Sequence, residues 1–137
     1  MSHVARSTCP LRGTVIFVKA NAVNSKIGAK ARWWLVVQNN FLQKANHVMA
    51  VPFINANPKV RRSDMLKVFT VAEECGQPCD CYINCAKVCV IDTDDIRVKI
   101  QSAPKHIMKA VRPRLRFTLG VQTPEETQAL LNIGRRR

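Results

Sequence analysis

The chain has no apolar run approaching the roughly 20 residues that a helix needs to cross a bilayer; its hydrophobic stretches are short and suit strands. The opening MSHVARSTCPLRG carries no apolar segment of the secretory kind, so the sequence reads as cytoplasmic, without membrane contact. Acidic residues are scarce: 9 Asp and Glu stand against 22 Lys and Arg, a formal charge of +13 on 137 residues. So large an excess on so small a body sums to a positive field that concentrates polyanions and speeds their arrival. Nucleic acid is the leading partner, weighed against the plainer reading that the charge serves solubility. Cys-x-x-Cys knuckles are also missing, although the chain holds 6 cysteines. Cys75, Cys79, Cys81, Cys85 and Cys89 crowd one short stretch without the paired spacing of a zinc site. If Cys81 to Cys89 were one strand, Cys81, Cys85 and Cys89 would share a face as small buried groups. Packing in a reducing compartment is therefore favoured over metal binding, with Cys75 and Cys79 the pair best placed to oxidise.

What is present reads as strands first and helices last. The length allows one domain with a real core. Thr14 to Lys19 is β-branched and follows a glycine; Trp33 to Val37 and His47 to Ile54 are the next apolar runs. Met65 to Ala72 alternates, and Cys81 to Ile91 holds a further pair of short runs around Lys87 before a break at Asp92 to Asp95. Short strands between turn signals predict a small barrel or sandwich. From Pro104 the period becomes helical, with Ile107, Met108, Val111, Leu115 and Leu119 on one stripe. Ser102 is the expected cap of that helix, and Pro113 is expected to kink or divide it. Thr123-Pro124-Glu125-Glu126 is a capping box that opens a second helix ending near Gly134.

Several segments, in order, resemble the MazF/PemK-type ribonuclease toxins. Arg12-Gly13 before the first strand is similar to that family's opening. Arg32 takes the place of its Arg-Pro arginine, and Leu35 to Asn40 (LVVQNN) match its apolar strand and Gln-Asn-Asp turn. Asp80-Cys81 resembles its Asp-Ser, Val90-Ile91-Asp92 its Thr-Ile-Asp, and Ile107 to Gly120 its terminal helix. The resemblance implies an α+β fold, mainly β with C-terminal helices: an SH3-like small barrel of the MazF/PemK/CcdB kind. It would span residues 12–121, after a flexible arm (1–11) and before a short helix and basic tail (122–137).

It further implies an endoribonuclease that cleaves single-stranded RNA by attack of the RNA's own 2′-hydroxyl, with no metal or cofactor. Its partners would be an acidic antitoxin and a second copy of the chain in a homodimer. Arg32 would neutralise charge on the phosphorane, a role suited to a planar fork, and Asn55, at the family's Thr or Ser position, would donate an amide hydrogen bond. Lys26, Lys30, Trp33, Arg61, Arg62 and Lys87 would contact RNA. Trp33, Trp34 and Tyr82 are candidate stacking faces, although adjacent strand residues point to opposite sides, so that one Trp is core. His47 and His106 titrate near neutrality but sit at a strand start and on a basic helix, where an inert role is the simpler reading. The chain departs from the pattern in three places, the first being the family's Gly-Gly-rich loop before the arginine, which reads Ser-Lys-Ile-Gly-Ala-Lys-Ala at residues 25 to 31 here. Trp33 replaces the Pro, and the family's acid-Gln-x-Arg is Ala86-Lys87-Val88-Cys89 here. The loss of the acid at Ala86 keeps open a second reading: a barrel without chemistry, serving as a nucleic-acid-binding module or ribonucleoprotein subunit.

Overall fold

The computed structural model describes residues 9–23, 26–40, 46–56 and 65–135. Along them run β1 (Thr14–Val18), β2 (Arg32–Val36), β3 (His47–Asn55), β4 (Lys67–Thr70), β5 (Cys81–Asn84), β6 (Cys89–Asp92) and β7 (Ile96–Ser102). Two helices follow, α1 (Lys105–Leu119) and α2 (Pro124–Arg135). The chain forms two compact units, Met1–Phe53 with Lys87–Ala103 and Ile54–Ala86 with Pro104–Arg137.

The first unit is an antiparallel sheet in the order β6-β3-β2-β1-β7. Its strands are set by alternation. Ile16 stands opposite Trp34, Val36 opposite Ala50, and Val48 opposite Ile91. Since side chains two apart share a face, these residues join Val18 and Cys9 in one buried cluster, with Ala22, Val23, Ile27, Cys89 and Ile96 packed against it. The intervening row, Val15 opposite Leu35 opposite Val51, is also fully buried. Both faces at the centre of the sheet are therefore apolar, and these strands read as continuous hydrophobic runs.

In the second unit β4 and β5 pair antiparallel, with Phe69 opposite Tyr82 and their rings edge to face at 5.4 Å. Helix α1 packs on β4 and on α2. It buries Ile107, Val111 and Leu115, each four residues after the last. Gly120 ends the helix at φ 77°, its N–H and that of Val121 returning to the last-turn carbonyls. A left-handed residue there favours glycine, which has no Cβ to clash. The Thr123 box closes reciprocally: Glu126 N–H to Thr123 Oγ1 at 3.1 Å and Thr123 N–H to Glu126 Oε1 at 2.9 Å.

The pair of short runs expected around Lys87 forms β5 and β6, separated by a turn at Cys85 and Ala86, where the Ala86 N–H turns back onto Asn84 Oδ1; the single strand from Cys81 to Cys89 considered for the cysteines does not form. Two expectations need correction. Ser102 ends β7 and caps nothing; Pro104 occupies the position before α1 and offers no side-chain hydrogen bond. Pro113 lies inside α1 without dividing it. Buried residues on both sides, Val111 and Leu115, hold the helix together across the bond that Pro113 cannot make to the Lys109 carbonyl. Strand β7 was not anticipated, although Ile96, Val98 and Ile100 alternate with Arg97, Lys99 and Gln101. Its basic residues obscured a period-2 pattern, and its pairing with β1 is interrupted by two register shifts.

Candidate active site

Arg32 is the first residue of β2, not a loop residue ahead of it. It lies on the same strand face as Trp34 and Val36, which draws its stem partly under cover. The guanidinium is pinned by two carbonyls: Nε donates to Ile27 O at 3.0 Å and Nη1 to Phe53 O at 3.2 Å. Nη2 has no protein partner among the described residues and remains available to an anion. One anchor, Ile27, belongs to a 3-10 turn (Lys26–Gly28). Gly28 closes that turn, its carbonyl accepting from Asn21 N–H at 2.7 Å. A Cβ at Gly28 would fall 2.5 Å from both the carbonyl oxygen and the Cβ of Val23, so only glycine fits. The spacing from Gly28 to Arg32 is visible in the sequence; the pinning is not.

The Gln-Asn-Asn motif is structural. Gln38 is buried, receiving Met49 N–H on Oε1 at 3.2 Å and turning Nε2 toward Cys9 Sγ at 3.9 Å. Val37 N–H adds a bond to Met49 O at 2.9 Å. Arg12 completes the corner: its N–H bonds Asn40 Oδ1 at 2.7 Å and its Nη1 the Val37 carbonyl. The opening Arg-Gly and the turn after β2 thus brace each other in this chain.

Asn55 is the exposed last residue of β3. Its Oδ1 faces two thiols, Cys79 Sγ at 3.7 Å and Cys81 Sγ at 4.0 Å, which directs the amide's donor end elsewhere. The following residue is held too, Ala56 N–H bonding Asp80 O at 3.1 Å. The loop between β4 and β5 is internally tied. Ala72 N–H reaches Asp80 Oδ1 at 2.8 Å, Val71 N–H reaches Glu74 Oε2 at 3.0 Å, and Glu73 N–H reaches Gln77 O at 2.6 Å. Burial pushes the Cys81 thiol up to about 12, with Cys79 and Cys75 adding to the effect, and pushes Cys75 up to about 11. Neither thiol ionises near neutrality. Among the described residues no group of three or more His, Cys, Asp and Glu is arranged to hold a metal ion.

Of the other candidates, Lys30 and Lys87 are exposed. Lys26 opens the 3-10 turn, and Arg61 and Arg62 lie outside the described residues. Trp34 is the core tryptophan at 1% exposure, while Trp33 is half-buried against Phe17, ring centroids 4.9 Å apart. Tyr82 is buried beside Phe69, which removes it as a stacking face. His106 pairs with Glu74, and His47 opens β3 opposite Asp92. Ala86 sits exposed in its turn, where no carboxylate replaces the family's acid.

A mainly antiparallel β fold with two C-terminal helices is the architecture of the MazF-like class. The sequence matches the PemK-like, MazF-like toxins of type II toxin-antitoxin systems over residues 11–119, and the chain belongs to that family. Solved structures agree on the fold. A mycobacterial endoribonuclease in complex with its cognate antitoxin superposes at TM-score 0.65 and 21% identity, covering 84% of this chain and 99% of its own. The Mycobacterium tuberculosis toxin MazF-mt6 gives 0.63 at 13%, covering 80% and 99%. The MazE–MazF complex of Deinococcus radiodurans gives 0.61 at 16%, covering 83% and 99%. No curated protein matches the sequence. No helix among the described residues is long and apolar enough to cross a membrane.

Proposed function

We propose that this chain is a toxin endoribonuclease that cleaves single-stranded RNA by attack of the 2′-hydroxyl on the adjacent phosphate, yielding a 2′,3′-cyclic phosphate and a 5′-hydroxyl. The observation that carries the reading is Arg32. Two carbonyls fix the guanidinium before substrate arrives, leaving Nη2 for a phosphate oxygen. Such preorganisation is what electrostatic stabilisation of a phosphorane requires, because no reorganisation is needed as charge develops. Since the nucleophile belongs to the RNA, the protein has only to position, neutralise and move protons. Asn55, with its Oδ1 turned to the thiols, is the second proposed donor to the RNA through its Nδ2–H. Lys26, Lys30, Arg61, Arg62 and Lys87 track the backbone, and the half-buried Trp33 offers a stacking edge. The reaction proceeds without a metal. An antitoxin partner is supported by the mycobacterial and Deinococcus complexes; in this reading its acidic segment competes with RNA for the chain's basic residues, and the chain acts as a homodimer.

Ala86 favours a second reading. Without a carboxylate there, a general base is missing from the position the family uses, and the chain serves as a binding module instead. A mixed-sequence single-stranded RNA incubated with the purified protein in chelator decides between them. Cleavage with cyclic-phosphate ends supports the enzyme; RNA retained without cleavage leaves the binding module.

A further inference from the structure

The Cys79-Asp80-Cys81 segment joins an exposed thiol to a buried one beside Asn55. Its two sulfurs meet on one acceptor, Asn55 Oδ1, and Cys79 lies close enough to Cys81 to help hold its thiol protonated. Cys81 Sγ also lies 3.4 Å from Cys79 O. Cys79 is exposed and Cys81 buried, so the first thiol meets solutes and the second is screened from them. A disulfide spans Cα atoms about 4.4 to 6.8 Å apart. Two residues of fully extended chain cover about 6.6 to 7.2 Å, and Cys79 sits in a bend that is short of extension.

We propose that Cys79 and Cys81 form a reversible disulfide that responds to small-molecule disulfides and releases Asn55. The Cys79 thiolate attacks a small disulfide, forming a mixed disulfide and expelling one thiolate. The Cys81 sulfur, having given up its proton to solvent, attacks the Cys79 sulfur and expels the second small thiol. Two protein thiols are oxidised and one small disulfide is reduced to two thiols. The resolving step is slow at neutral pH because Cys81 holds its proton, burial being the main cause. Its product carries no S–H, so Asn55 Oδ1 loses both donors and the amide is no longer oriented. That consequence for RNA cleavage rests on the function proposed above; the disulfide does not.

The test treats the full-length reduced protein with oxidised glutathione, traps free thiols by alkylation and reads intact mass and peptide fragments. Expected are the loss of two alkylatable thiols and a link between positions 79 and 81. Cys79→Ser should take up no glutathione in this loop, Cys81→Ser should stop at the mixed disulfide, and Cys75→Ala should behave as wild type. A link from Cys79 to Cys75, or a mixed disulfide that never resolves in the wild type, overturns the pairing. Cleavage by the oxidised protein should fall about tenfold and recover on reduction, equivalent to about 1.4 kcal/mol. Unchanged cleavage with the disulfide formed overturns the link to Asn55. No cleavage in either state refutes the enzyme reading and leaves the mass result to decide the disulfide.

Discussion

Arg32 combines two duties that a substitution should separate. As the proposed neutraliser of phosphorane charge it is worth about 3 kcal/mol, so Arg32→Ala should lower RNA cleavage on the order of a hundredfold or more. As a donor to Ile27 O and Phe53 O it also supports the head of β2, and leaving those carbonyls partly unsatisfied should cost about 1 to 3 kcal/mol. The variant should therefore melt earlier yet remain folded. Arg32→Lys should restore part of the melting temperature and little of the rate, since an ammonium lacks the fork. Equal cleavage by all three proteins would remove Arg32 from the chemistry. Gly28 acts on the same group from a distance. Gly28→Ala drives a methyl into the Val23 backbone, so the turn must open and carry the Ile27 carbonyl away. Cleavage should drop with RNA binding little changed; a wild-type rate in the variant would show that the Ile27 anchor is dispensable.

At the scale of elements, α1 shows how tertiary packing overrides local preference. A proline in a helix interior costs about 3 kcal/mol, yet α1 continues through Pro113 because Ile107, Val111 and Leu115 are buried along one stripe. Pro113→Ala should then raise the denaturant midpoint, by up to about 3 kcal/mol, with α1 unchanged by circular dichroism. A fall in stability would mean that the ring itself packs. The α2 cap works in the opposite direction: Thr123→Ala removes one half of a reciprocal box and should lower stability by about 1 kcal/mol. In the sheet, Arg12, Gln38 and Asn40 tie the strand ends together, which gives the turn after β2 a structural purpose independent of RNA.

For the whole molecule the governing quantities are charge and buried thiols. A formal charge of +13 implies counterion release on RNA binding, so the affinity should fall steeply with salt in a filter-binding titration. An affinity independent of salt would contradict the nucleic-acid reading altogether. Alkaline pH acts on the fold. Burial holds the Cys75 thiol up to about 11 and the Cys81 and Cys85 thiols up to about 12, above the ordinary value of 9.0. The fold thus binds protons more tightly than the unfolded chain there. The resulting stability is complete below the unfolded value and is lost as pH rises through the folded ones. The melting temperature of the reduced protein should decline from about pH 9 upward, and Cys85→Ala should flatten that decline. A melting temperature constant across this range would rule out the buried-thiol contribution.

The order of elements other than β7, the family and the candidate arginine were legible in the sequence because each rests on local pattern: β-branched runs, a helical stripe from Ile107 to Leu115, a capping box, and LVVQNN after Arg32. The excess of positive charge was legible from composition alone, since net charge needs no fold. Tertiary structure decided the rest. It made Arg32 a pinned group through carbonyls from Ile27 and Phe53, and buried Trp34 and Tyr82 while leaving Trp33 half-covered. It also set Cys79 and Cys81 against Asn55 from the far end of a loop. These contacts join residues up to 26 positions apart, and periodicity, which reports only near neighbours along the chain, carries no information about which distant carbonyl or thiol a side chain will meet.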